Sequence, residues 1–214
     1  MTSTQDLIGS LAANLTPVRR LRPPLLRAGG WLLLAAIILV LLSIVQGVRP
    51  DLMSRLREPG FAINTFAAML TGALAAIAAF VVSVPGRSRL WLALPLPVLA
   101  LWISSVGAQC LTHWVTLDAG GLSWGETVRC LATLVLTSLP LSLAMLIMLR
   151  HMAVLPSTSV TLMSSLAVAA ITAATLPLFH AFDATVLILL WNFGTAGLIV
   201  GLGGLASWRL ASQS

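Results

Sequence analysis

The sequence predicts an all-α, polytopic membrane protein. Six transmembrane helices pair as antiparallel hairpins, both termini are cytoplasmic, and a short amphipathic helix stands at the N-terminal end. Three observations predict this. First, 58% of the 214 residues are hydrophobic, 8% are charged, and the mean hydropathy is +1.01. A soluble domain carries about 25% charged residues, so this chain cannot cover its surface for water and needs lipid as solvent. Second, six apolar stretches approach or exceed the ~20 residues that a bilayer core requires of a helix. Third, the arginines gather on one side of those stretches.

The spans are expected at about 31–48, 61–84, 90–109, 128–149, 159–179 and 184–205, leaving 31–207 as the membrane domain and 208–214 as a tail. Residues 1–30 precede the first apolar run. They are too long and too charged for a cleavable leader, so that run is expected to stay as an anchor. With the N-terminus inside, the inner side holds Arg19, Arg20, Arg22, Arg27, Arg87, Arg89, Arg150 and Arg209 against the single acid Asp6. The outer side holds Arg49, Arg55, Arg57 and Arg129 against Asp51, Glu58, Asp118, Glu126 and Asp183. Eight arginines against one acid, and four against five, give +7 inside and −1 outside, together the chain's +6. The basic excess inside fixes the orientation. It also accounts for the pI of about 11.5 without invoking nucleic acid. Trp31, Trp91 and Trp208 fall at inner span ends, with Trp114 and Trp124 in an outer loop, the places of interfacial aromatic belts.

No Asp, Glu, Arg or Lys lies in the interior of a span. Pumps, coupled carriers and voltage sensors need such groups, so their lack counts against transport. Gln46 and Asn192 stand out as polar residues near or within spans and read as helix–helix glue. Small residues recur at 72–79, 167–174 and 194–204, and Gly197 and Gly201 have the spacing that lets two helices touch. These are packing signals.

The lead, residues 1–30, divides into a helix and a basic, proline-broken linker. Ser3 and Asp6 fit a capping box. Leu7, Ile8, Leu11 and Leu15 then recur at helical spacing on one face, and Pro17 ends the helix. The opposite face (Gln5, Asp6, Gly9, Ser10, Ala13) is small and nearly uncharged. Three readings stay open: a helix on the inner leaflet, a helix packed on the bundle, or an apolar stripe offered to a groove in a soluble protein. Surface helices on lipid usually carry basic polar faces, which this one lacks. A helix this short is marginal alone in water and would fold on its partner.

On the outer face, Cys110 closes the third span and Cys130 opens the fourth. Helices joined by a short loop are expected to be neighbours, so the two sulfurs can meet. A bond closing a loop of about 20 residues contributes on the order of 3 kcal/mol. The pair reads as a redox switch, a structural staple, or two inert thiols. Cys110 and His113 also have metal-ligand spacing, with His180 and Asp183 on the same side and Asp118 and Glu126 between the cysteines. Sulfur, imidazole and carboxylate together suit a soft or borderline metal. His151 is inside and alone, a loop residue. Residues 51–59 read as one amphipathic helical turn on the outer leaflet, with Leu52, Met53 and Leu56 toward lipid. No nucleophile–base pair, phosphate loop or intramembrane protease motif is present, so no chemistry is assigned.

Several stretches resemble the NrsF-type membrane anti-sigma factors. They are Asp6-Leu7-Ile8 with Leu11, Leu15, Pro17 and Val18; Asp51-Leu52 with Arg55-Leu56, Pro59 and Phe61; Arg129-Cys130 followed by Pro140 and Arg150; and His180, Asp183 and Trp191. The resemblance covers nearly the whole chain. It implies an anti-sigma factor of the bacterial inner membrane, not an enzyme, without a resident cofactor. Its cytoplasmic lead would hold an extracytoplasmic-function sigma factor at the membrane through Asp6, Leu7, Ile8, Leu11, Leu15, Pro17 and Val18. Partners are that sigma factor and membrane lipid, with no direct nucleic acid. An outer sensor of oxidant or heavy metal would comprise Cys110, His113, Cys130, His180 and Asp183, with a metal held transiently at Cys110, His113, Cys130 and His180. One departure matters. Where the family has a second outer cysteine after the histidine, this chain has Ala181, so Cys110 replaces it as partner of Cys130 or the redox role weakens. The competing readings are a small six-span transporter or channel subunit, and a structural assembly factor.

Overall fold

The structure, a computed structural model, describes residues 23–84, 86–112, 124–150 and 158–179 and, singly, Thr4, Gly9, Ala13 and Gly194. Side chains are described for these except at 107–131 and 150. All regular structure among the described residues is helical. Helix α1 spans Pro24–Gln46, α2 is the short Leu52–Leu56, and α3 spans Pro59–Val82. A 3-10 turn, Arg89–Ala93, leads into α4, Leu96–Thr112. Helix α5 spans Trp124–Arg150 and α6 Thr158–Phe179. Five helical segments among the described residues are long and apolar enough to cross a membrane. The protein is a helical membrane protein. Of the sixth expected span, 184–205, only Gly194, helical and exposed, is among the described residues; Asn192, Gly197 and Gly201 lie outside them.

Prolines set the helix starts. Pro24 and Pro59 each occupy a first-turn position, where the missing N–H costs nothing and φ is already helical. Helix α1 therefore begins at Pro24, not at Trp31, and Arg27 belongs to its first turn instead of to a linker. It stops at Gln46 because Gly47 takes φ +73°, a conformation that side chains other than glycine's resist. The third span opens differently from the expected continuous helix at 90–109. Ser88 caps a 3-10 turn by accepting from the Leu90 N–H at 3.2 Å, and Pro95 and Pro97 postpone regular α-helix to Leu96.

Helix α3 is central. It packs along α6 over most of its length and also touches α1 and α4, while α5 bridges α1 and α6. The α3–α6 contact is built from small side chains. Ala67, Ala68, Thr71, Gly72, Ala75 and Ala76 face a run that includes Ala167, Ala170, Ala173 and Ala174, all buried. Without large side chains between them the two backbones approach closely. A methyl placed on Gly72 would lie 2.8 Å from Ile171 Cγ1, 2.9 Å from Ile171 Cδ1 and 3.2 Å from the Ala167 carbonyl. In lipid, where burial gains no hydrophobic energy, such close packing is what holds helices together. The small-residue stretches 72–79 and 167–174 thus mark one interface.

Two expectations are corrected. Trp31 is not in an interfacial belt. It is fully buried, packed with Ala28, Ala76, Phe80, Leu141 and Met145. The shift follows from the helix start: with almost two turns of α1 before it, Trp31 lies inside the bundle. Trp91, by contrast, is partly exposed in the 3-10 turn. Second, α4 and α5 are consecutive but have no extensive interface among the described residues; α4 docks on α3. It reaches toward α5 through Trp102, which shares a buried cluster with Leu134, Ala170 and Ala173. The α3–α6 seam takes the place that a sequential hairpin would have filled.

Candidate functional site

Helix α1 leads back to the N-terminal segment, so what holds α1 decides where that segment sits. It is held to α5 near both ends. At one end the Trp31 indole N–H donates to the Leu141 carbonyl at 3.0 Å, in a buried setting. At the other the Thr133 hydroxyl donates to Gln46 Oε1 at 2.8 Å. Gln46 thus ties two helices together, as its position predicts. Pro140 lies between the two contact points on α5. Its missing N–H removes one helical bond there, the usual origin of a bend. The first turn of α1 is also fixed to α3, with the Arg27 guanidinium over the Phe80 ring, 5.7 Å from its centroid.

The Gln46 end of the bundle carries the other polar contacts. Ser105 Oγ on α4 lies 3.3 Å from Asn64 Oδ1 on α3 and 2.7 Å from the Trp102 carbonyl. Asn64 is buried, yet sequence reasoning passes over it. The signal was a lone amide within an otherwise Ala- and Thr-rich span. The connection after α1 is tied to the far end of α6 by the Arg49 N–H, which donates to the Leu178 carbonyl at 3.3 Å. Arg49 also grips Asp51 through two bonds of 2.6 Å, Nε to Oδ1 and Nη2 to Oδ2. That fork holds the Asp51 carboxyl below its ordinary range and raises Arg49 in turn. Arg55 bonds Glu58 at 3.0 Å, and between these pairs α2 presents Met53 and Leu56 outward, as an interfacial turn should.

Cys110 lies in the last turn of α4 and Cys130 in the second turn of α5, both at the Gln46 end. Cys130 is three residues before Thr133 and so one helical turn from the bond to Gln46. Since α4 packs on α3, a Cys110–Cys130 bond would join helices that are not each other's main partner. His113, His180 and Asp183 lie outside the described residues, and among the described residues no His, Cys, Asp and Glu gather into a metal-binding group. In the lead, Thr4, Gly9 and Ala13 are helical and exposed. Asp6, Leu7, Ile8, Leu11, Leu15, Pro17 and Val18 lie outside the described residues.

Buried hydroxyls are frequent: Thr65, Thr71, Thr133, Thr137, Thr172 and Thr175. Thr137, Thr172 and Thr175 bond carbonyls of their own helices at 2.7–2.8 Å. Such bonds satisfy the hydroxyl proton within its own helix.

The bundle of long apolar helices defines a class, the multi-span helical membrane protein. The family model for NrsF, negative regulator of sigma F, matches residues 11–212. The chain belongs to this family. The match takes in Leu11, Leu15, Pro17 and Val18 of the lead as well as every described helix; Asp6, Leu7 and Ile8 precede it. No curated protein and no solved structure matches the chain.

Proposed function

We propose that this protein is a membrane anti-sigma factor of the bacterial inner membrane. It holds an extracytoplasmic-function sigma factor through its N-terminal segment, with Leu7, Ile8, Leu11 and Leu15 as apolar anchors. The observation that carries this reading is the family match, which runs over both the lead and the bundle. Capture at the membrane keeps the sigma factor from RNA polymerase. Oxidant or heavy metal at the outer face, felt around Cys110, His113, Cys130, His180 and Asp183, releases it.

The bundle offers a route for that signal. A change near Cys130 bears on the adjoining turn of α5, and through Thr133 on Gln46 and the end of α1. Pro140 lets the two halves of α5 move separately, and Trp31 reports the lower half to the start of α1. To pass from mostly bound to mostly released, the two bundle arrangements must differ in affinity for the sigma factor by about 5.5 kcal/mol. With Ala181 in place of the family's cysteine, Cys110 is the partner available to Cys130.

Co-purification tests the reading. The full-length protein, solubilised from membranes of its own cells, is expected to retain an extracytoplasmic-function sigma factor, and to lose it after oxidant treatment. Failure to retain it without stress overturns the proposal.

A further inference from the structure

Among the described residues Arg27 is placed as a cation without an anion. Its guanidinium lies over the Phe80 ring at 5.7 Å, and Phe80 is fully buried. The ring serves the face of the guanidinium, but the N–H edges need acceptors in the plane. Nη1 is sealed from solvent and has no hydrogen-bond partner among the described residues. Protein on that side strips water from the cation, and a partly dehydrated guanidinium holds an anion better than a fully hydrated one.

Nothing near it among the described residues supplies that anion. At this end of the bundle stand Arg27, Arg87 and Arg89, with Arg150 closing α5. The described acids Asp51, Glu58 and Glu126 all stand at the opposite end. Depth points to the source. Along α1, Arg27 is separated from Gln46 by about 29 Å at 1.5 Å per residue, close to the ~30 Å hydrocarbon thickness. With Gln46 and the Arg49–Asp51 pair at one edge of the hydrocarbon, Arg27 stands at the other, at the level of the phosphates. Beside it in the same turn, Leu25 and Leu26 are 60% and 66% exposed, an apolar flank suited to acyl chains.

We propose that Arg27, set by Phe80, binds the phosphodiester of an anionic phospholipid at the start of α1. The inference rests on the membrane placement of the helices and is independent of any sigma factor. The bound lipid would fix the first turn of α1 and hence the origin of the N-terminal segment.

The test uses the full-length protein in micelles doped with phosphatidylglycerol or phosphatidylcholine, with retained lipid counted by native mass spectrometry. Wild type is expected to keep phosphatidylglycerol in preference to phosphatidylcholine. Arg27→Gln is expected to lose that preference several-fold, and Phe80→Leu, which removes the ring but keeps apolar volume, to weaken it. Arg89→Gln, an exposed arginine at the same end, is expected to stay within two-fold of wild type. In parallel, phosphatidylglycerol raises the melting temperature of wild type but not of Arg27→Gln. Undiminished retention by Arg27→Gln or Phe80→Leu, or equal loss in Arg89→Gln, overturns the site. Displacement by millimolar inorganic phosphate overturns the lipid as its occupant.

Discussion

The Trp31 indole donates its N–H to the Leu141 carbonyl, which follows Pro140 in α5 and lies 110 residues away in the chain. One bond thereby fixes the start of the first membrane helix to the point where the fourth can bend. Trp31→Phe removes the donor, a loss of about 0.5–1.5 kcal/mol, and adds the smaller cost of the space left by the five-membered ring. Trp31→Ala also opens a cavity and costs about 3–5 kcal/mol. Equilibrium unfolding in mixed micelles measures both. Equal stability of Trp31→Phe and wild type would mean the bond contributes nothing.

A methyl added at Gly72 would force the Ile171 side chain to shift within the α3–α6 seam. Gly72→Ala should destabilise by about 1–3 kcal/mol through overpacking. Ile171→Ala clears the two nearest carbons and leaves the Ala167 carbonyl at 3.2 Å as the next contact. The double variant should therefore cost less than the two single changes together, the signature of direct contact. Strict additivity in the same unfolding assay would contradict the seam.

Thr133→Val removes the donor to Gln46 while keeping the side-chain shape. In membrane helices such a bond contributes about 0.6 kcal/mol. Stability should change little, but signalling should change clearly. Basal repression of a sigma-dependent reporter is expected to persist, and induction by oxidant to be blunted several-fold. Full induction in Thr133→Val would exclude this bond from the route.

The Arg49–Asp51 fork makes the connection after α1 sensitive to acid. Asp51 is held below its ordinary value, so its contribution is present above about pH 4 and is lost as pH falls through the lowered folded value. Wild type and Asp51→Asn should therefore differ in stability at pH 6 and converge once the pH has fallen through that lowered folded value. A difference unchanged across that range would show that the carboxylate charge is not what matters. Asp51 is exposed although Arg49 beside it is largely covered, and the effect should be small and weakened by salt.

Much of the fold is legible in the residues because lipid imposes a simple rule: long apolar runs become helices, and arginines mark their ends. Five runs appear as helical segments near their expected places, and Gln46 is found as the tie between helices that an isolated amide suggests. What escaped came from partners distant in sequence. Trp31 at a span edge resembles a belt residue until Pro24 is seen to start the helix and carry it inward. Asn64 is one amide among small residues, and only Ser105 gives it a role. The α3–α6 pairing is absent from any rule that joins consecutive spans, since it arises from two small-residue faces that fit. The lead's stripe is legible as periodicity, but the groove that would receive it belongs to another molecule.

The central claim is that the N-terminal stripe holds a sigma factor. It is tested most directly by Leu11→Asp in the full-length protein, read with a sigma-dependent reporter in unstressed cells. The account predicts that this one charge in the apolar stripe releases the reporter to the level of a deletion strain, with the amount of protein in the membrane unchanged. Repression as tight as wild type would contradict it.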